Sequence, residues 1–273
     1  MNKKLNKIVN DLKISDLSVL ELGLDGGLMS LSLFFFYYSR FISNETYENF
    51  AYEIFKIIVS KIDINTIQSN YIFGLSGIGI CIDFLTKEKF IEIESEDLFE
   101  DFNNSIFKDI TKKTTLDFSF QTGLLGRCNY FMLHKNNKTE EVIKISLDRL
   151  CSGFAVPDFP KHPIETIFLM PSEVLKDIEL FLYKVEKLKI HEEQISLLKY
   201  HITKFEKEHT ILQSNCFEYY KIQYLRKTIG FENKLLSKKM LDNYVNYISN
   251  KAIQGLTFMY YEKPNLPNIW KIL

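Results

Sequence analysis

The stretch GLDGGLMSLSLFFFYYSRF, residues 23–41, decides the fold class. Two later stretches repeat its plan: GLSGIGICIDFL at 74–85 and GLLGRCNYFML at 123–133. Each opens on a Gly-Leu-x-Gly cluster and runs on as apolar residues with no strand-like alternation. The first glycines, Gly23, Gly74 and Gly123, lie 51 and 49 residues apart, so the pattern is an internal repeat of about fifty residues. The pairs are Gly23 with Gly26, Gly74 with Gly77, and Gly123 with Gly126. Positions i and i+3 share one helical face, and without a Cβ another helix or backbone can approach closely there. The six are therefore structural glycines. A phosphate-cradling loop is the rival use, but the strand that should precede it and a Gly-Lys-Ser/Thr sequence are both missing.

Between the clusters lie amphipathic segments with helix-start signals. Ser43 or Asn44 can cap a helix with Tyr47, Phe50, Ala51, Ile54, Ile57 and Ile58 on one face. Ser95 can cap another, carrying Leu98, Phe99, Phe102, Ile106 and Ile110. Each repeat is thus a polar-faced helix, a loop, a glycine turn and an almost wholly apolar helix. A helix that is apolar all round is buried. The expected architecture is all-α, with helix hairpins set as an inner and an outer ring: an α/α toroid.

The second half differs. Residues 1–153 carry the three repeats, 154–171 form a connection with four of the six prolines, and 172–273 read as a helical continuation of the same toroid without glycine pairs. Helices are expected from Ser172, over 192–209, over 216–227, and over 237–261 capped by Ser237. The tail, with the only tryptophan, Trp270, is expected to be extended.

Composition narrows the function. Thirty-four Lys and Arg against 35 Asp and Glu give a formal net charge of -1 over 273 residues, which argues against nucleic acid as a partner. The greasiest run, Leu28 to Tyr38, is far short of the roughly 20 residues that cross a bilayer. No signal-peptide core follows the opening Met-Asn-Lys-Lys. Cys81, Cys128, Cys151 and Cys216 stand far apart, with neither a CxxC pair nor disulfide spacing, which suits single thiols in a reducing, cytoplasmic setting.

The three Gly-Leu-x-Gly clusters and the apolar helices after them resemble the early repeats of lanthionine synthetase C-like proteins, over roughly residues 20 to 135. The resemblance implies an α/α toroid and a role in maturing ribosomally made peptides. Cyclases of that family add a peptide cysteine to a dehydrated serine or threonine. A zinc ion held by two Cys and one His activates the thiol. Those ligands lie in later repeats, one cysteine near a Gly-x-x-Gly motif and then an adjacent Cys-His pair. This sequence has no Cys-His pair and no Gly-x-x-Gly after Gly126. The expectation is therefore no metal and no cofactor, and a binding scaffold whose partner is a precursor peptide or a peptide-modifying enzyme. An improvised zinc site from Cys151, Cys216 and His162 ranks well below that.

Four charged residues stand out as candidates to line a lumen and bind peptide: Asp25, Arg40, Asp83 and Arg127. Asp83 lies on an apolar helix, where a charge is costly unless paired or facing water. Pairing with Arg40 or Arg127 across a central cavity is one reading, and a local ion pair is the other. Two alternatives remain at this level. One is an active lanthionine cyclase using a base other than zinc or completed by another chain. The other is a helical-toroid glycoside hydrolase, for which Asp25 and Asp83 are the only candidate carboxylate pair.

Overall fold

The computed structural model describes residues 3–13, 17–24, 27–92, 96–112, 117–155, 171–208, 248–263 and 266. Among these, all regular structure is helical, as the periodicity predicts. The helices are α1 (Lys3–Lys13), α2 (Leu28–Ile42), α3 (Glu45–Lys61), α4 (Leu75–Lys87), α5 (Glu96–Lys112), α6 (Leu124–Leu133), α7 (Thr139–Ala155), α8 (Pro171–Glu186), α9 (Glu192–Glu208) and α10 (Ile248–Glu262), with a 3-10 turn at Leu17–Val19. The predicted cap Ser95, the helix at 216–227, most of the 154–171 connection, the cap Ser237 and Trp270 lie outside the described residues. None of the described helices is long and apolar enough to cross a membrane.

The chain forms two compact units, Met1–Ser105 with Lys234–Leu273, and Ile106–Asn233. This grouping follows contacts within the fold, whereas the sequence division at 153/154 and 171/172 follows motifs.

In the first unit α2 is the centre. From Leu28 to Ser39 every residue is buried, including Phe34, Phe35, Phe36, Tyr37 and Tyr38. Helices α3, α4 and α10 pack on it, and α1 packs on α10. The aromatic rings meet edge to face or offset. Phe35 meets Phe50 at 4.8 Å, Tyr38 meets Tyr47 at 4.7 Å, and Tyr37 stacks on Phe90 at 5.3 Å. Such pairs add roughly 0.5–1.5 kcal/mol each beyond the apolar area they bury. The serines on this helix spend their hydroxyls on backbone. Ser30 donates to the Gly27 carbonyl at 2.8 Å, and Ser32 donates across to Ala51 of α3 at 3.1 Å. Buried hydroxyls with such partners cost little. Asn44 is the cap of α3, its side chain accepting from the Thr46 N–H at 2.9 Å. On α10, a Cβ at Gly255 would meet the Phe34 ring, so the two helices approach through that gap. Lys251 of α10 also pairs with Asp11 of α1 at 2.7 Å.

In the second unit α6 packs against α7 and α8, and α9 packs against both of those. Its core includes Tyr130, Phe131, Val142, Leu147, Ile178, Phe181, Val185 and Leu198.

One loop is built three times. The apolar helices α2, α4 and α6 are each capped by a glycine in extended backbone: Gly27, Gly74 and Gly123. The first helical N–H then donates to the carbonyl seven residues earlier: Leu28 to Glu21 at 2.7 Å, Leu75 to Gln68 at 2.8 Å, and Leu124 to Asp117 at 2.9 Å. Each bond satisfies one of the donors a helix start leaves open. That same carbonyl oxygen sits where the glycine's Cβ would be, at 2.7 Å for Gly27 and closer for Gly74 and Gly123. The glycines are required for space, since their φ values of -94, -123 and -92 are open to any residue. In the first repeat Gly27, four residues beyond Gly23, therefore holds the position of Gly74 and Gly123. Gly23 has a different task. Its Cβ would strike Ile72 and Phe73, and next to it the Leu24 N–H donates to the Ile72 carbonyl at 2.7 Å, joining the first loop to the second. Gly77 is also fixed by space, since a Cβ there would meet the Tyr71 carbonyl. Gly126 is buried in the first turn of α6, and Gly26 lies outside the described residues.

Substituting Gly74→Ala or Gly123→Ala pushes a methyl into a backbone carbonyl that cannot rotate away. Each should lower stability by about 1–3 kcal/mol, the usual range for overpacking, as read by chemical denaturation.

Candidate functional site

Three of the four charged residues singled out from the sequence, Arg40, Asp83 and Arg127, have local partners in the folded chain. Arg40, near the end of α2, donates from Nη2 to the Lys89 carbonyl at 2.6 Å. Its guanidinium sits over the Phe90 ring, 3.4 Å from the centroid. Burial lowers its pKa, opposed by Glu48, Glu88 and Tyr37. It clamps the end of α2 to the turn after α4. Asp83 is buried on α4, and its carboxylate accepts from Lys87 Nζ, one turn on, at 2.6 Å. That is the local ion pair of the two readings, with the acid N-terminal to the base as helices prefer. Arg127 belongs to the other unit. It donates from Nη1 to the Thr122 carbonyl at 2.9 Å, within its own glycine turn. Burial lowers its pKa, opposed by Asp109 and Asp117. An Asp83–Arg127 pair is thus not a feature of either unit taken by itself. Asp25 lies outside the described residues, and the Asp25–Asp83 carboxylate pair with it.

The described cysteines do not fit the zinc that the resemblance implies. Cys81 and Cys128 are fully buried, at 0% exposure, on the apolar helices α4 and α6. A zinc-bound cysteine must be a thiolate. Burial instead pushes the Cys81 thiol far above its ordinary range and Cys128 up to about 12, although Ser146 and Lys184 pull the latter down. Cys151 is half-buried, with the Gln194 carbonyl at 4.0 Å, and burial and then Asp148 raise its thiol pKa. No group of three or more His, Cys, Asp or Glu side chains able to hold a metal occurs among the described residues. His162 and Cys216 lie outside them.

Two features escaped the sequence reading. The first is Asp117, whose Oδ1 accepts from the Ser119 N–H at 2.9 Å and whose Oδ2 accepts from the Thr122 hydroxyl at 2.8 Å. An Asp two residues before a Ser, ahead of a glycine turn, is the readable mark of an Asx turn. Ser119 then accepts the Thr122 N–H at 3.2 Å, as Asn70 accepts the Phe73 N–H at 2.8 Å in the preceding repeat. The second is Lys184 on α8. Its Nζ donates to Asn129 Oδ1 on α6 at 2.7 Å and stands 5.1 Å from the centroid of the Phe120 ring. Asp177, two turns earlier on α8, accepts the Phe120 N–H at 2.8 Å and so holds that ring's backbone. Burial pulls the Lys184 amine down to about 8, with Cys128 opposing weakly. Its signal in the sequence is the Asp177–Phe181–Lys184 spacing, which puts both charges on the face of buried Phe181.

Comparison of the chain with protein-family models and with curated proteins finds no match.

Two outcomes follow. With a thiol alkylator under native conditions, Cys81 and Cys128 should stay unlabelled, as read by peptide mass spectrometry, and react fully once the chain is unfolded in denaturant. For Lys184, the folded amine releases its proton near pH 8, whereas the unfolded one releases it near 10.4. Between those values the unfolded chain binds more protons, so stability rises with pH across that window. Lys184→Met removes that rise. Its stability relative to the parent should fall by about 1 kcal/mol from pH 7 to pH 10, a figure reduced for the part of the side chain that meets solvent.

Proposed function

We propose that the chain is a lanthionine synthetase C-like helical toroid acting in the maturation of a ribosomally made peptide. It works in the cytoplasm as a zinc-free scaffold, binding the precursor peptide or an enzyme that modifies it. One observation carries this reading. The same glycine-capped loop, with the same hydrogen bond seven residues back, precedes an apolar helix three times and is followed each time by a polar-faced one. Repeats of this kind stack to bury their apolar faces and leave loops to carry binding. The scaffold role rests on the cysteines. Two of the four are enclosed as neutral thiols, and no Cys-His pair exists to hold a metal that would activate a substrate thiol.

The test uses purified protein and the fluorescently labelled peptides encoded by genes flanking its own, with the modifying enzymes from those genes as competitors. Saturable binding in the micromolar range, read by anisotropy, is expected with at least one peptide or enzyme. The outcome that overturns the reading is an absence of binding to all of them. Thioether formation on a dehydrated peptide, seen as lost free thiol without a mass change, would replace the scaffold with a cyclase.

A further inference from the structure

The amine of Lys184 is placed unlike an ordinary surface lysine. It donates to the neutral amide of Asn129 and lies over the ring of Phe120, and the Cys128 thiol acts on it electrostatically. Asn129 is itself 3% exposed, so the acceptor that aims the amine is fixed in the protein interior. The charged groups nearby are engaged elsewhere. On α8, Asp177 accepts from the Phe120 backbone, and Glu186 pairs with Lys199 of α9. On α6, Cys128 is a neutral thiol near pH 7, and α7 contributes the uncharged Ser146 that bonds it. Among the described residues, the contacts of the Lys184 amine include no carboxylate.

We propose that Lys184 is a covalent capture site for a carbonyl ligand, an aldehyde of aromatic or other flat apolar character, held as an imine on the Phe120–Asn129 platform. The nitrogen lone pair attacks the carbonyl carbon, and the carbonyl oxygen takes up a proton. The carbinolamine then loses water, which carries away the oxygen and the two amine hydrogens, leaving a C=N bond with no net oxidation or reduction. Phe120 offers the ligand a ring to lie against, and Asn129 Oδ1 holds the amine in one direction. The lowered proton affinity supports the chemistry. With an amine near 8 about a tenth of Lys184 is uncharged at pH 7, against well under a thousandth for an unperturbed lysine. A free amine with this environment is the usual starting point of Schiff-base lysines. The site is independent of the peptide-scaffold reading.

The experiment treats the whole chain with benzaldehyde and cyanoborohydride, which traps the imine as a benzyl amine, and follows each lysine by peptide mass spectrometry from pH 6 to pH 10. Lys184 should be modified at least about tenfold faster than the median lysine at pH 7, with a rate that levels off above pH 8 while the others keep rising. Asn129→Asp sets a carboxylate beside the amine. It should slow trapping at pH 7 by about tenfold and move the plateau upward by a unit or more. A Lys184 rate that tracks the other lysines, or no modification of Lys184 while they react, overturns the proposal. If Asn129→Asp fails to fold, as judged by circular dichroism, the plateau in the parent protein decides alone.

Discussion

A carbonyl oxygen occupying the space of a missing side chain is the constraint on which the rest depends. At Gly27, Gly74 and Gly123 the chain folds back so tightly that the oxygen of a residue in the preceding loop both receives the first helical N–H and fills the volume of a Cβ. The bond fixes where α2, α4 and α6 begin and the direction in which each leaves its loop. Because these helices are buried almost throughout, their direction sets the cores of both units. Side chains reinforce the same loops by different means. Asn70 and Ser119, at matching positions, each accept the backbone N–H three residues on, and Ser119 accepts that of Gly123 as well, while Gly23, at the corresponding place in the first loop, admits the backbone of the second.

Much of this was legible beforehand, for physical reasons. A helix such as Leu28–Ile42 has too few polar positions to face water anywhere, so burial follows from composition alone. The polar-faced helices were readable from their period, and the Asn44 cap from its residue type and position. The register of the first repeat was not. Gly23, Gly26 and Gly27 are equivalent as letters, and only the hydrogen bond from Leu28 to Glu21 singles out Gly27. The local contacts of the charged residues were not legible either. Arg40 and Arg127 draw attention as rare arginines near the repeats, yet both guanidiniums close local backbone, and the contact each makes depends on loop geometry that no periodicity encodes. Lys184 passed unnoticed among thirty lysines because its distinction lies in neighbours from α6 and the loop before it.

Electrostatics and packing divide the labour between the units' polar groups. Exposed pairs such as Lys56 with Glu53 and Lys144 with Asp148 sit on outer faces and add little. Groups that penetrate the interior are handled one at a time: Asp83 by its neighbour on the helix, Arg40 by an aromatic face and a carbonyl, Lys184 by an amide. The thiols of Cys81 and Cys128 need no such provision, since a neutral thiol packs as a small apolar group.

The close approach of Gly255 to Phe34 also sets an order of events during synthesis. The most apolar of the described helices, α2, is made before α10, which covers part of it and follows more than two hundred residues later. At ordinary elongation rates that interval is roughly 10–40 s. The second unit is encoded wholly within it. A nascent chain therefore carries an incompletely covered aromatic helix while an entire unit is being made. Completion of the first unit's core thus waits on the chain's last described helix, whereas every residue of the second unit has been made by then.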